Sequence, residues 1–291
     1  MTPPAPPAAP LRADCIGDSA GGLTFDVAAR GNSGAALLIL RRRGSDEAVD
    51  AAGDTVSLPL APAAAGRLRA ALPSSVSLPE GRWDAYARLS DGEPRRLVPG
   101  VTDLRSLADR TPSGLLGHVA VRIPYATRQG NLTVRSWLRA PHAEAVDLRL
   151  AGGGLTVRGR VYGTQLVPGA DAELRARPGD GDGGRDGGGV RRVEVVAERT
   201  EFAFTVPYDG LAPGVWDLWL RPAGDHGPAV RLARLLDDVA DKNPVFTFPR
   251  ARVRTPHGPV EAGPYYTRDN DLSLAVVALD GTARVSDVRF V

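Results

Sequence analysis

The chain has 291 residues, 43% of them apolar, with 36 Lys and Arg against 34 Asp and Glu for a net charge of +2. That length suits about two domains, the apolar share can build cores, and the near balance of charge leaves no excess to hold a nucleic-acid backbone. A single cysteine, Cys15, excludes an intrachain disulfide and a cysteine-built zinc site, while 34 glycines and 25 prolines favour short strands joined by turns.

Residues 1–11 form a Pro-rich tail, read as disordered, because Met1 to Pro10 is polyproline-like and extended. It has neither the basic start nor the apolar stretch of a secretory signal, so a cytoplasmic protein is expected. Gly17-Asp18-Ser19-Ala20-Gly21 is a turn, and Leu23, Phe25 and Val27 then alternate as one face of a strand. The apolar run from Ala35 to Leu40 stops at Arg41-Arg42-Arg43 and is far too short to cross a bilayer, so no membrane insertion is expected.

Leu78-Pro-Glu-Gly81-Arg-Trp83-Asp84-Ala-Tyr86 opens a strand in which Trp83, Ala85, Ala87 and Leu89 share a face. A short helical turn is expected near Leu104 to Ala108. Pro124-Tyr125-Ala-Thr127-Arg128-Gln-Gly-Asn131-Leu132-Thr-Val134 reads as strand, turn and strand, with Leu132 and Val134 alternating against Thr133 and Arg135.

Each of these segments recurs. Gly153-Gly154-Leu155-Thr156-Val157 repeats Gly21-Gly22-Leu23-Thr24-Phe25 after 132 residues. Leu211-Ala-Pro-Gly214-Val-Trp216-Asp217-Leu-Trp219 repeats the Trp83 corner after 133, and Pro264-Tyr265-Tyr-Thr267-Arg268 to Leu274 repeats the Tyr125 segment after 140. Same order and nearly constant shift imply two copies of one unit. The expected fold is all-β, two tandem immunoglobulin-like β-sandwich domains over 12–143 and 144–291. Trp83 and Trp216, just after a Leu-x-x-Gly corner, are expected to plug the two cores. Residues 178–189 read as an enlarged loop, a second helical turn is expected near Leu232 to Val239, and Ser286 to Val291 resembles Val146 to Ala151. That last stretch either closes the second copy or is the remnant of a third.

Motifs for chemistry are weak. Gly17-Asp18-Ser19-Ala20-Gly21 fits a nucleophile elbow, but that device needs a helix after the serine. An alternating strand follows, no histidine stands upstream, and the second copy carries Ala151 opposite Ser19. A serine hydrolase using Ser19 is therefore the least favoured alternative, and no catalytic residue is assigned. Asp180-Gly-Asp182 with Asp186 hints at calcium, yet Gly184 and Arg191 stand where an EF-hand needs oxygen ligands. No metal or cofactor is expected. His118, His142, His226 and His257 lack metal-ligand spacing and read as surface or turn residues.

Better candidates are the matched aromatics. Tyr86 and Trp219 point away from the core tryptophans and can stack on a sugar ring or anchor a protein, or else lie covered by a neighbouring element. Tyr125 with Arg128, and Tyr265 with Arg268, can offer a guanidinium to a phosphate or carboxylate, or simply fix a strand end.

The repeated Pro-Tyr-x-Thr segment with the Leu-x-x-Gly-x-Trp-Asp corner resembles the C-terminal tandem immunoglobulin-like region of wall-teichoic-acid-type and actinobacterial glycosyltransferases, over residues 11–291. No segment of the sequence has the α/β alternation of a catalytic domain. The resemblance implies a non-catalytic accessory role at the cell envelope. That role is filled by oligomerisation or by glycan or polyol-phosphate binding, and the expected partners are a glycosyltransferase or its polymeric acceptor, or further copies of the chain in a homo-oligomer. A protein-binding scaffold unrelated to glycans is the alternative that the same fold supports.

Overall fold

The computed structural model describes residues 9–29, 34–44, 53–90, 92–108, 110–112, 117–178 and 189–279. The chain divides into two compact units. One is Met1–Pro112, Ala120–Leu138 and Leu236–Ala240; the other is Ser113–Val119, Arg139–Leu235 and Asp241–Val291. Asp180, Asp182, Asp186 and residues 280–291 lie outside the described residues.

The first unit contains β1 (Leu11–Gly17), β2 (Leu23–Ala28), β3 (Ala36–Arg42), β4 (Thr55–Pro59), β5 (Ala61–Ala63), β6 (Arg67–Leu72), β7 (Gly81–Leu89) and β8 (Arg95–Asp103). A one-turn helix α1 (Arg105–Ala108), β9 (Val119–Ala126) and β10 (Leu132–Arg139) follow. One layer runs β5-β6-β2-β1, the other β4-β3-β7-β10-β9, and β8 belongs to both. Its start pairs with β7 (Tyr86 to Arg96) and its remainder runs parallel to β1 (Leu11 to Leu97).

The second unit repeats this plan with β11 (His142–Ala151), β12 (Gly154–Tyr162), β13 (Asp171–Ala176), β14 (Val190–Glu194), β15 (Val196–Glu198), β16 (Glu201–Pro207), β17 (Gly214–Arg221) and β18 (Val230–Ala233). It ends in β19 (Ala251–Thr255), β20 (Gly258–Tyr266) and β21 (Leu272–Ala278). β15-β16-β12-β11 stands for β5-β6-β2-β1, and β14-β13-β17-β21-β20 for β4-β3-β7-β10-β9, with β19 added at the edge. The strand β18 changes partner as β8 does, pairing Arg231 with Trp219 and then running parallel to β11 at Leu232 and Ala143.

Alternation explains these strands. Leu23, Phe25 and Val27 are buried in one layer and Leu38, Leu40, Trp83, Ala85 and Ala87 in the other. In the second unit Leu155, Val157, Phe202 and Phe204 meet Leu174, Trp216, Leu218 and Leu274 in one core. Each corner tryptophan is buried and donates its indole N–H to the carbonyl four residues back, Trp83 to Pro79 at 3.0 Å and Trp216 to Ala212 at 2.9 Å. The matched turns agree as well: Gly130 and Asn270 take the same left-handed conformation, at φ 75° and 62°. In each turn a threonine hydroxyl, Thr127 or Thr267, accepts the N–H four residues on.

Three expectations need correction. Thr133, Arg135 and Ser273 are buried, so β10 and β21 are covered on both faces rather than on alternate ones. The covering comes from polar partners described below. The helical turn near 232–239 does not form: Val230 and Leu232 are buried strand positions, and Asp237 accepts the Val239 N–H at 2.9 Å, a local bond that competes with helix. His142 is not a surface histidine. It is buried beside Glu144 at 2.7 Å, and Glu144 also accepts the Leu235 N–H. The expected turn at 104–108 does form, as α1.

Gly159 on β12 lies so close to the Glu144 carbonyl and the Phe202 ring that a Cβ would collide with both. Gly159→Ala should cost about 1–3 kcal/mol as an overpacked site, measurable by urea unfolding. Among the described residues no helix is long and apolar enough to cross a membrane.

Candidate functional site

The outward face of the β3-β7-β10 layer carries a charged cluster built around one aspartate. Asp84 follows the corner tryptophan on β7 and so points away from the core. Arg43, just past β3, reaches its Oδ1 at 2.7 Å; Arg96 on β8 lies 2.7 Å from the same oxygen; Thr133 on β10 donates to it at 2.9 Å. Arg96 also donates to the carbonyls of Ala85 and Leu132, at 3.2 and 3.1 Å, stitching β7, β8 and β10 together. Over the half-buried Tyr86 ring lie two guanidiniums, Arg96 at 4.9 Å and Arg41 at 5.3 Å from its centre.

The second unit rebuilds the cluster residue for residue. Asp217 accepts from Arg177 at 2.6 Å, Arg231 at 2.6 Å and Ser273 at 2.9 Å. Trp219 takes the place of Tyr86, with Arg175 at 4.4 Å and Arg231 at 5.4 Å from its ring. Strand register proves the equivalence, since Arg41 faces Asp84 and Thr133 faces Asp84 as Arg175 and Ser273 face Asp217. Past the strands, Arg43 and Arg177 donate their backbone N–H to the matching carbonyls of Arg82 and Val215.

Burial alone would raise the carboxyls of Asp84 and Asp217. Hydrogen bonds from Arg43 and Thr133, or from Arg177 and Ser273, together with the second arginine, outweigh it and hold both below the usual carboxylate range. Both aspartates are therefore ionised near neutral pH and unsuited to general-acid chemistry. The Cys15 thiol is buried and pushed up to about 12, so it is no nucleophile either. Ser19 sits exposed in a hairpin turn that Asp18 closes by accepting the N–H groups of Ala20 and Gly22, with strand β2 rather than a helix beyond it. Among the described residues no group of three or more His, Cys, Asp or Glu could hold a metal ion.

No protein-family model matches the chain, and no curated protein matches it. The site is defined by its own geometry.

That geometry joins two pairs that the sequence presents separately. Tyr125 lies near Arg43, as Tyr265 lies near Arg177 and Ser273. The outward aromatics and the Pro-Tyr tyrosines thus belong to one cluster in each unit. Arg128 and Arg268 do not join it; they stand exposed in the turns after Thr127 and Thr267. Asp84, Asp217 and the arginines that hold them were not singled out from sequence. The aspartates were legible, since both follow the corner tryptophan. A separate pocket of about 470 Å³ in the second unit, near Tyr162, Val196 and Phe202, holds none of the residues of the Asp217 cluster.

Proposed function

We propose that the chain is a non-catalytic binding module, accessory to a cell-envelope glycosyltransferase system, whose two immunoglobulin-like units each present one guanidinium–aromatic face to an anionic polyol or glycan polymer. One observation carries this reading: the same aspartate, two arginines, hydroxyl and stacked ring recur at register-equivalent positions in both units. A fold needs no second copy of an outward aromatic, whereas a repeating ligand has a use for two. Rings contact the apolar face of a sugar or polyol, and guanidiniums meet its phosphates. Arg41 makes no ion pair among the described residues, which leaves its charge available. Two linked sites bind a polymer more tightly than either does alone.

The indole-to-carbonyl bond at each corner supports the immunoglobulin-like part of this reading, since a buried aromatic tied to backbone just upstream marks the equivalent strand of such sandwiches. Calorimetric titration with poly(glycerol phosphate) should give binding that weakens as salt is raised. It should weaken further in the double variant Arg41→Ala/Arg175→Ala. Absence of heat at low salt would remove the proposal.

A further inference from the structure

We infer that the first unit also holds a discrete site for a phosphate monoester, in the pocket between the end of β3 and the starts of β4 and β7 and against β10. The pocket has a volume of about 450 Å³ and is lined by Arg42, Arg43, Arg82, Arg135 and Asp54, with Gly44 and Gly81. Four arginines and one carboxylate residue thus line it, Arg43 being bound to Asp84 beside the pocket. Arg82 and Arg135 are direct cross-strand partners on β7 and β10, which brings two like charges to one side of the pocket. Arg135 is fixed rather than floppy: it is 7% exposed, with its guanidinium 4.9 Å above the Trp137 ring.

Arg42 is fixed too. It donates to the Glu80 carbonyl at 2.6 Å and pairs with Asp54 at 3.4 Å. It lies across Gly81, where a Cβ would come within 2.9 Å of its Nε. Held arginine forks of this kind suit a tetrahedral dianion, which accepts hydrogen bonds from several directions at once.

The second unit supplies an internal control. Register places Ala176 at the position of Arg42, Val215 at that of Arg82 and Ala275 at that of Arg135. The framework therefore builds with Ala, Val and Ala at these positions in the second unit. Only Arg43, which also serves Asp84, keeps its counterpart in Arg177. The inference goes beyond the polymer-binding proposal: it concerns one unit, a small anion, and, Arg43 apart, arginines that take no part in the Asp84 cluster.

The test uses the full chain, isotopically labelled, in a phosphate-free buffer of constant ionic strength. Titration with sn-glycerol 3-phosphate should shift the amide signals of Gly44 and Gly81 saturably, with a Kd on the order of 1 mM. Uncharged glycerol, or chloride at matched ionic strength, should not. Arg82→Val and Arg42→Ala copy residues the second unit already uses, and unchanged amides at Gly22 and Gly130, in the same unit but away from the pocket, will report that the fold is kept. Each should weaken binding by about tenfold or more, the loss of one charge-assisted hydrogen bond or two. Shifts that fail to saturate, that chloride reproduces, or that persist with unchanged affinity in both variants would overturn the site. Because the polymer titration is read as heat and tested at Arg41 and Arg175, a chain that binds glycerol 3-phosphate but no polymer retains this pocket and loses only the polymer proposal.

Discussion

Trp83→Ala is expected to destabilise the first unit by about 3–5 kcal/mol, the usual cost of deleting a large buried aromatic. The side chain is 0% exposed and its N–H is held by the Pro79 carbonyl. Truncation therefore leaves a cavity at the layer junction and removes the bond that fixes the corner. Trp83→Phe separates the two effects. It keeps most of the volume and should cost less than the alanine variant, with about 1 kcal/mol of its loss coming from the missing hydrogen bond. Trp216→Ala should act likewise in the second unit, where Trp216 holds Ala212. Urea unfolding followed by near-ultraviolet circular dichroism measures all three. A loss below about 1 kcal/mol for Trp83→Ala would deny the corner its role.

The second large effect is electrostatic. Asp217→Ala removes the anion shared by Arg177, Arg231 and Ser273, and leaves Arg231, whose side chain is only 10% exposed, with the more distant Asp271 carboxylate at 3.7 Å. Breaking a buried pair from one side costs about 3–5 kcal/mol. The 22% exposure of Asp217 sets the expectation at the low end of that range. The same carboxylates set the acid limit of the fold. Asp84 and Asp217 are held below their unfolded values, so their contribution is fully present above the ordinary carboxylate pKa and is lost as pH falls through the folded one. Unfolding free energy measured against pH should fall off below about pH 4, and Asp217→Asn should flatten that fall. An unchanged acid slope in the variant would show that the pair does not titrate with folding.

Much of the fold is legible in the sequence because period-two alternation and the two tryptophan corners are local signals. The failures are equally physical. Thr133 and Ser273 look like solvent-facing positions by alternation, yet they are buried as donors to Asp84 and Asp217. A polar network covers that face, and alternation cannot distinguish a network from water. His142 looks unremarkable in sequence: Glu144 stands two residues on along the same strand, but only tertiary placement buries the pair and brings the Leu235 N–H to Glu144. Lys242, the only lysine of the chain, is completely buried, with its backbone N–H bound to Asn270. As a composition count it carried no such information.

The site divides in the same way. Tyr86, Trp219, Tyr125 and Tyr265 stand out because the repeat places them at equal shifts, and Asp84 and Asp217 share the shift of the tryptophans beside them. The arginines are harder. Arg43 sits in a run of three and Arg96 beside Arg95, and their counterparts Arg177 and Arg231 lie at shifts of 134 and 135. Small loop differences blur the alignment there, and only strand register says which guanidinium is equivalent. The basic pocket illustrates the converse: Arg42, Arg82 and Arg135 gain meaning from what the second copy lacks.

The central claim is that two equivalent faces bind one repeating anionic ligand. Its most direct test compares the affinity of poly(glycerol phosphate) for the native chain, Tyr86→Ala, Trp219→Ala and the double variant. The account predicts that each single change weakens binding by about tenfold, the scale of one lost stacking contact. The double change should reduce it to the level of simple charge attraction. Native and double-variant chains that bind equally, or a native chain that does not bind at low salt, would contradict it.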